Sequence, residues 1–132
     1  MLEEYHETKK LPYEIQIWNK FVDLVTSQNF IDLSEKQRMV SLVFWYDAEV
    51  NNGGHSGYFE CNPGVKMEDL IRALNEVGAS LFIPNVTHAF LHGKNDDYVE
   101  DDKTFGEFVP ALTQLLQEYV AIHANDLGIT LD

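Results

Sequence analysis

The chain is poor in cysteine, in basic residues and in long apolar runs. Its single cysteine, Cys61, cannot close an intrachain disulfide and has no cysteine partner for a zinc site, which fits a reducing compartment. Only 9 Lys plus Arg stand against 22 Asp plus Glu, a formal charge of −13. Direct nucleic-acid binding needs cations that displace condensed counterions, so this balance argues against it, and anionic membranes are disfavoured for the same reason. The longest mostly apolar run, Met39 to Tyr46, is far too short to span a bilayer. The N-terminus carries acidic residues where a secretory signal carries basic ones, and no apolar stretch follows, so a cytoplasmic location is expected.

What is present is enough apolar material to fold. Hydrophobic residues make up 45% of the 132, including 8 Phe, 6 Tyr and 2 Trp, which offsets the ordering entropy that keeps charged chains disordered. The length suits one domain over residues 1–132, with residues 1–10 as a polar N-terminal arm. The excess charge calls for a basic protein surface or a cation as partner, although solubility alone is a sufficient reason for it.

The apolar spacing is helical throughout, and no two-residue alternation competes with it. Pro12 suits the start of a first helix, on which Ile15, Trp18, Val22 and Val25 recur with Phe21 and which ends near Ser27. Ser34 and Gln37 form a capping-box pattern that opens a second helix through Met39, Leu42, Val43, Tyr46 and Val50. Its apolar side chains occupy most of the circumference, which places it at the centre of a bundle. Asn52-Gly53-Gly54 should end it, followed by a short helix or turn from His55 to Cys61 that Asn62-Pro63-Gly64 terminates.

A third helix is expected from Met67 to Val77, stopped by Gly78, and another from Pro84 to His92 with Val86, Ala89 and Phe90 inward. Lys94 to Lys103 reads as an acidic connector. The clearest period runs from Phe105 to His123, and Pro110 limits where regular helix can begin, so the last helix should start close to Glu107. The class is all-α, a compact bundle of five to six helices.

The stretch Glu49 to Phe59, with its Asn52-Gly53-Gly54 turn and Tyr58-Phe59 pair, together with Ala73-Leu74 and Gly78-Ala79, carries a family resemblance. It resembles the small all-helical bacterial domain family, mostly of unknown function, typified by an acidic dimeric DNA-mimic protein. Family members typically follow the Asn-Gly-Gly turn with an aromatic residue, a Gln and a Tyr-Phe pair. Here Asn52, Gly53, Gly54, Tyr58 and Phe59 are kept, while His55 takes the aromatic position, Gly57 the Gln position and Cys61 a frequent Asn position. The matching segments run from the second helix to about Gly78. The resemblance implies the helical fold, a homodimer and action as a DNA mimic.

Several constellations invite chemistry. Asn52-Gly53-Gly54 lacks the spacing and lysine of a phosphate loop, and no strand precedes it, so a structural turn is the preferred reading. His88 and His92, four apart, could share one helix face as in metalloproteases, but Ala89 stands where such an enzyme needs its glutamate base. Asp96 or Asp97 could complete a metal site there, yet two histidines without a role fit better. Asp47, embedded in the apolar second helix, needs a hydrogen-bonding or cationic partner and could brace the glycine turn. No motif supports nucleophilic catalysis, and no cofactor is indicated.

The acidic cluster Asp96, Asp97, Glu100, Asp101 and Asp102 remains, with Glu60, Glu68, Asp69, Glu76 and Glu107 on expected exposed positions. It lacks the alternating ligands and central glycine of a calcium loop. Phosphates recur about every 3.4 Å along a DNA strand, and helix neighbours three or four apart stand roughly 5 to 6 Å apart at Cβ. Carboxylates on adjacent helices could therefore approximate a phosphate row. The leading expectation is a non-catalytic acidic binding module whose partner is a basic DNA-binding protein, with those five acids as the contact. The alternatives are a metal-binding protein or enzyme using His88 and His92, and an immunity-type interaction protein whose partner does not bind DNA.

Overall fold

The computed structural model describes residues 11–131; the polar arm expected over residues 1–10 lies outside them. Six α-helices follow in order: α1 (Tyr13–Ser27), α2 (Glu35–Cys61), α3 (Met67–Glu76), α4 (Ile83–His92), α5 (Val99–Glu107) and α6 (Leu112–Ile122). Short 3-10 turns lie at Phe30–Asp32, Ser80–Phe82 and Gly93–Asp96, and no strand occurs among the described residues, so the fold is all-α and compact. None of these helices is long and apolar enough to cross a membrane.

Helix α2 occupies the centre, as its apolar circumference implies, and contacts α3, α5 and α6. Its first turn closes with the expected reciprocal cap: the Gln37 amide donates to Ser34 Oγ at 3.2 Å, and the Ser34 amide donates to Gln37 Oε1 at 2.8 Å. Val40, Val43, Tyr46 and Val50 are buried along it. Asn52-Gly53-Gly54 interrupts regular helix as expected, and a short helical segment follows it. The chain breaks helical geometry at Gly54 alone (φ 71°, ψ −178°) and resumes at once as far as Cys61. That backbone region is open essentially only to glycine, so Gly54 turns the helix axis where a residue with a Cβ could not.

On α1 the buried stripe is Ile17, Phe21 and Val25, while Ile15 is 44% exposed. The expected stripe and the observed one overlap on a single helix, and packing against α6 selects between them. Helix α3 follows expectation, burying Leu70, Ala73 and Leu74. Gly78 (φ 77°) then allows the Ala79 amide to donate to the Leu74 carbonyl at 2.8 Å, a Schellman stop. On α4, Val86 and Ala89 face inward as expected, but Phe90 is 57% exposed and Asn85 is buried in addition.

Two expectations fail around α5. The segment Lys94 to Lys103 is not a connector: most of it is the 3-10 turn Gly93–Asp96 and the start of α5. Its acidic residues sit at a helix N-terminus, where the backbone dipole favours negative charge, and Asp96 Oδ2 accepts from the Glu100 amide at 3.0 Å. The final helix does not begin near Glu107 either. Phe105 belongs to α5, and the chain passes through Phe108 and the cis Val109-Pro110 bond before α6 starts at Leu112. The pre-proline restriction bars helical geometry at Val109, and Phe108 before it is already extended (ψ 138°). The period across this break is real on both sides, because Phe105, Leu112, Leu116 and Val120 all enter one core.

Candidate interaction surface and the polar network behind it

The acidic cluster is divided by the geometry of α5. Asp96, Asp97 and Glu100 are exposed, whereas Asp101 is 4% exposed and Asp102 is half-buried. Residues one apart on a helix diverge by about 100°, so a run of three acids cannot all face water once the helix packs. Among the other acids expected at the surface, Glu60, Glu68, Glu76 and Glu107 are exposed and Asp69 is half-buried.

Both inward acids find a histidine. Asp102 Oδ1 lies 2.7 Å from His55 Nδ1 and accepts from the His55 amide at 2.8 Å. On its other side His55 Nε2 lies 2.7 Å from the Tyr46 hydroxyl. Burial pushes the His55 pKa down, opposed by its hydrogen bond to Asp102. Burial also holds the Tyr46 phenol well above its ordinary pKa, reinforced by the negative charges around it. The order Asp-His-Tyr resembles a proton relay, but both Tyr46 and His55 are fully buried. The network locks α2 to α5 through the kink at Gly54, with only its Asp102 end half-exposed.

Asp101 pairs with His88, whose Nδ1 lies 2.7 Å from its Oδ1. The His88 and His92 rings do share a helix face, their centroids 5.4 Å apart. Among the described residues, no group of three or more His, Cys, Asp or Glu side chains stands in a metal-holding arrangement. Asp101 is engaged as the hydrogen-bond partner of His88, and Asp96 and Asp97 are exposed.

The turn motif has a structural place for each member. Asn52 and Gly53 are exposed, Gly54 forms the kink, and Tyr58 is 2% exposed with its ring 5.0 Å from that of Tyr46. Phe59 is half-buried between Phe90 and Tyr98, at ring distances of 5.8 and 5.9 Å. His55 fills the aromatic position as an aromatic would, lying 5.9 Å from the Phe105 ring, and adds two polar contacts. Asp47 finds partners: Thr113 Oγ1 donates to its Oδ2 at 2.5 Å and Asn51 Nδ2 to its Oδ1 at 2.9 Å. It therefore ties α2 to α6 and does not brace the glycine turn directly. Burial raises its pKa, partly offset by those two bonds.

A family model for DMP19-like protein matches residues 31–126, from the first 3-10 turn to just beyond α6. The chain belongs to the DMP19-like protein family. No curated protein and no solved structure matches it. The matched DMP19-like segment contains the kink, both Asp-His pairs and the exposed acids of α5, so the whole network is part of the family region. Sequence reasoning missed the His55-Asp102 and His88-Asp101 pairs because the partners are 47 and 13 residues apart with no motif between them. The available signal was the histidine standing at an aromatic core position.

Proposed function

We propose that this DMP19-like chain is a non-catalytic acidic binding module that occupies the basic surface of a DNA-binding protein in place of DNA. The observation that carries the reading is the exposure of Asp96 and Asp97, in the turn that leads into α5, and of Glu100 in its first turn, within a chain of net charge −13. Their backbone is fixed by the Asp96 cap on the Glu100 amide and by the packed helix behind them. Carboxylates held on a rigid element suit competition with a phosphate row better than a mobile loop would, since less ordering entropy is lost on binding. Exposed Glu60, Glu68 and Glu107 would extend the negative surface. The reading includes a homodimer, for which exposed Phe90, Leu91 and Val99 offer apolar area, and a cytoplasmic location.

Affinity purification from native extract at low salt, with stepwise salt elution, tests it. A basic DNA-binding protein released by moderate salt and displaced by duplex DNA is the expected result, because exposed charge pairs are screened within about 10 Å at 0.1 M salt. A partner that survives high salt and ignores DNA would overturn the mimic reading and favour an immunity-type interaction.

A further inference from the structure

A cleft of about 290 Å³ lies between α4 and α5, lined by Pro84, Asn85, His88, Glu100, Asp101, Thr104 and Phe108. Two of these residues, Asn85 and Asp101, are 5% and 4% exposed, and each keeps one buried oxygen, Oδ1 and Oδ2, without a hydrogen-bond partner among the described residues. Their other polar atoms are engaged: Asn85 Nδ2 donates to the Asp101 carbonyl at 3.0 Å, and Asp101 Oδ1 meets His88. The two orphans are therefore both acceptors. A buried acceptor left unmet costs about 1 to 3 kcal/mol, so such a pair at a cleft calls for a donor.

The chemistry of the lining specifies that donor. Glu100 and Asp101 are anionic, no lysine or arginine lines the cleft, and Pro84 and Phe108 supply apolar walls. A group that brings positive charge, several N–H donors in a fork and an aliphatic stem is a guanidinium on its side chain. Lysine offers a point charge that cannot span two acceptors as a planar fork does. Water could meet the acceptors but would leave the apolar walls and the Glu100 charge unused.

We propose that this cleft receives one arginine side chain of a protein partner, its guanidinium bridging Asp101 and Asn85 after a small rotation of those side chains. This rests on the binding-module reading and deepens it. Asp96, Asp97 and Glu100 attract the basic surface at long range, and the cleft beside them selects one arginine from it. Buried, charge-assisted contacts of this kind are where a few residues carry most of an interface's affinity.

Titration of the isotopically labelled full chain with Nα-acetyl-arginine amide at low salt, followed by NMR, tests the assignment. Saturable shifts at the Asn85 side-chain amide and the His88 ring are expected, with none from the uncharged isostere Nα-acetyl-citrulline amide. Asp101→Asn should weaken the binding by roughly tenfold or more. Should Asp101→Asn fail to fold, Thr104→Phe, which fills the cleft from a half-buried position, should abolish the shifts while leaving the rest of the spectrum in place. Shifts scattered over Asp96, Asp97 and the exposed Glu68 without saturation, or equal binding of citrulline, would overturn the proposal. The two readings fail separately. A captured DNA-binding protein indifferent to Thr104→Phe removes the cleft and keeps mimicry; arginine binding with no DNA-competed partner does the reverse.

Discussion

His55 and Asp102, 47 residues apart in sequence, meet at 2.7 Å and again through the His55 amide, so that one carboxylate holds both the backbone and the ring of one histidine. The contact forms just after the glycine that redirects α2. Gly54, with φ 71°, passes so close to Asp102 that a Cβ there would overlap the carboxylate. The kink and the His55-Asp102 hydrogen bonds are therefore one feature seen from two helices.

Gly54→Ala should destabilise the chain by about 1 to 3 kcal/mol through backbone strain, and by more once Asp102 is displaced. Gly53→Ala is the control. Its Cβ meets nothing within 4 Å, and within a helix alanine is favoured over glycine by roughly 0.5 to 1 kcal/mol. Urea denaturation of the two variants should shift in opposite directions; equal shifts would mean that the kink is not glycine-dependent.

His55 makes stability pH-dependent with a definite sign. Its folded pKa is lowered, first by burial, so the native state favours the neutral ring. A depressed histidine pKa contributes stability that is present above the unfolded value of about 6.5 and is lost as pH falls toward the folded one. Unfolding midpoints measured from pH 8 to pH 5 should decline, and His55→Gln should flatten that part of the curve while lowering it overall. An unchanged slope in His55→Gln would assign the decline to another group.

Asp47 carries the opposite sign. Its carboxyl is raised by burial, so its ionised form costs stability as pH rises through the folded value, and the bonds from Thr113 and Asn51 limit that cost. Thr113→Val removes the 2.5 Å bond that joins α6 to α2 and should cost about 1 to 3 kcal/mol at pH 7. The loss should shrink near pH 4, where protonation relieves the unpaired oxygen. Paired urea titrations at the two pH values measure the difference; a pH-independent loss would make it a packing effect.

Ser34→Ala removes the acceptor of the Gln37 amide, leaves the Ser34 amide bonded to Gln37 Oε1, and should cost about 1 kcal/mol. Gln37→Leu also frees the Leu127 carbonyl, to which Gln37 Nε2 donates at 2.8 Å, so it should cost more than Ser34→Ala. Thermal unfolding of the pair gives the order directly; a reversed order would mean that the C-terminal segment is held without Gln37.

The ends of elements were legible wherever the chemistry was local. The Ser34 cap, the Gly78 stop and the Asn62 end of α2 each depend on residues a few positions apart, and each is where spacing and turn chemistry put it. The break at Gly54 is legible too, and only the new direction of the axis after it depends on what packs next. On α1 the expected face holds except that Ile15 turns outward and Ile17 enters the core, because two apolar stripes coexist on it. The acidic run was misjudged because charge suggested solvent, while α5 formed and turned Asp101 and Asp102 inward.

The sequence by itself determined the all-α class, the central helix and the family, because helical periodicity, caps and the Asn-Gly-Gly motif are properties of neighbours along the chain. Tertiary structure alone decided which carboxylates face water and which meet histidines. That choice depends on the rotation of α5 about its axis, and the rotation is set by how Phe105 packs among Tyr46, His55 and Phe82.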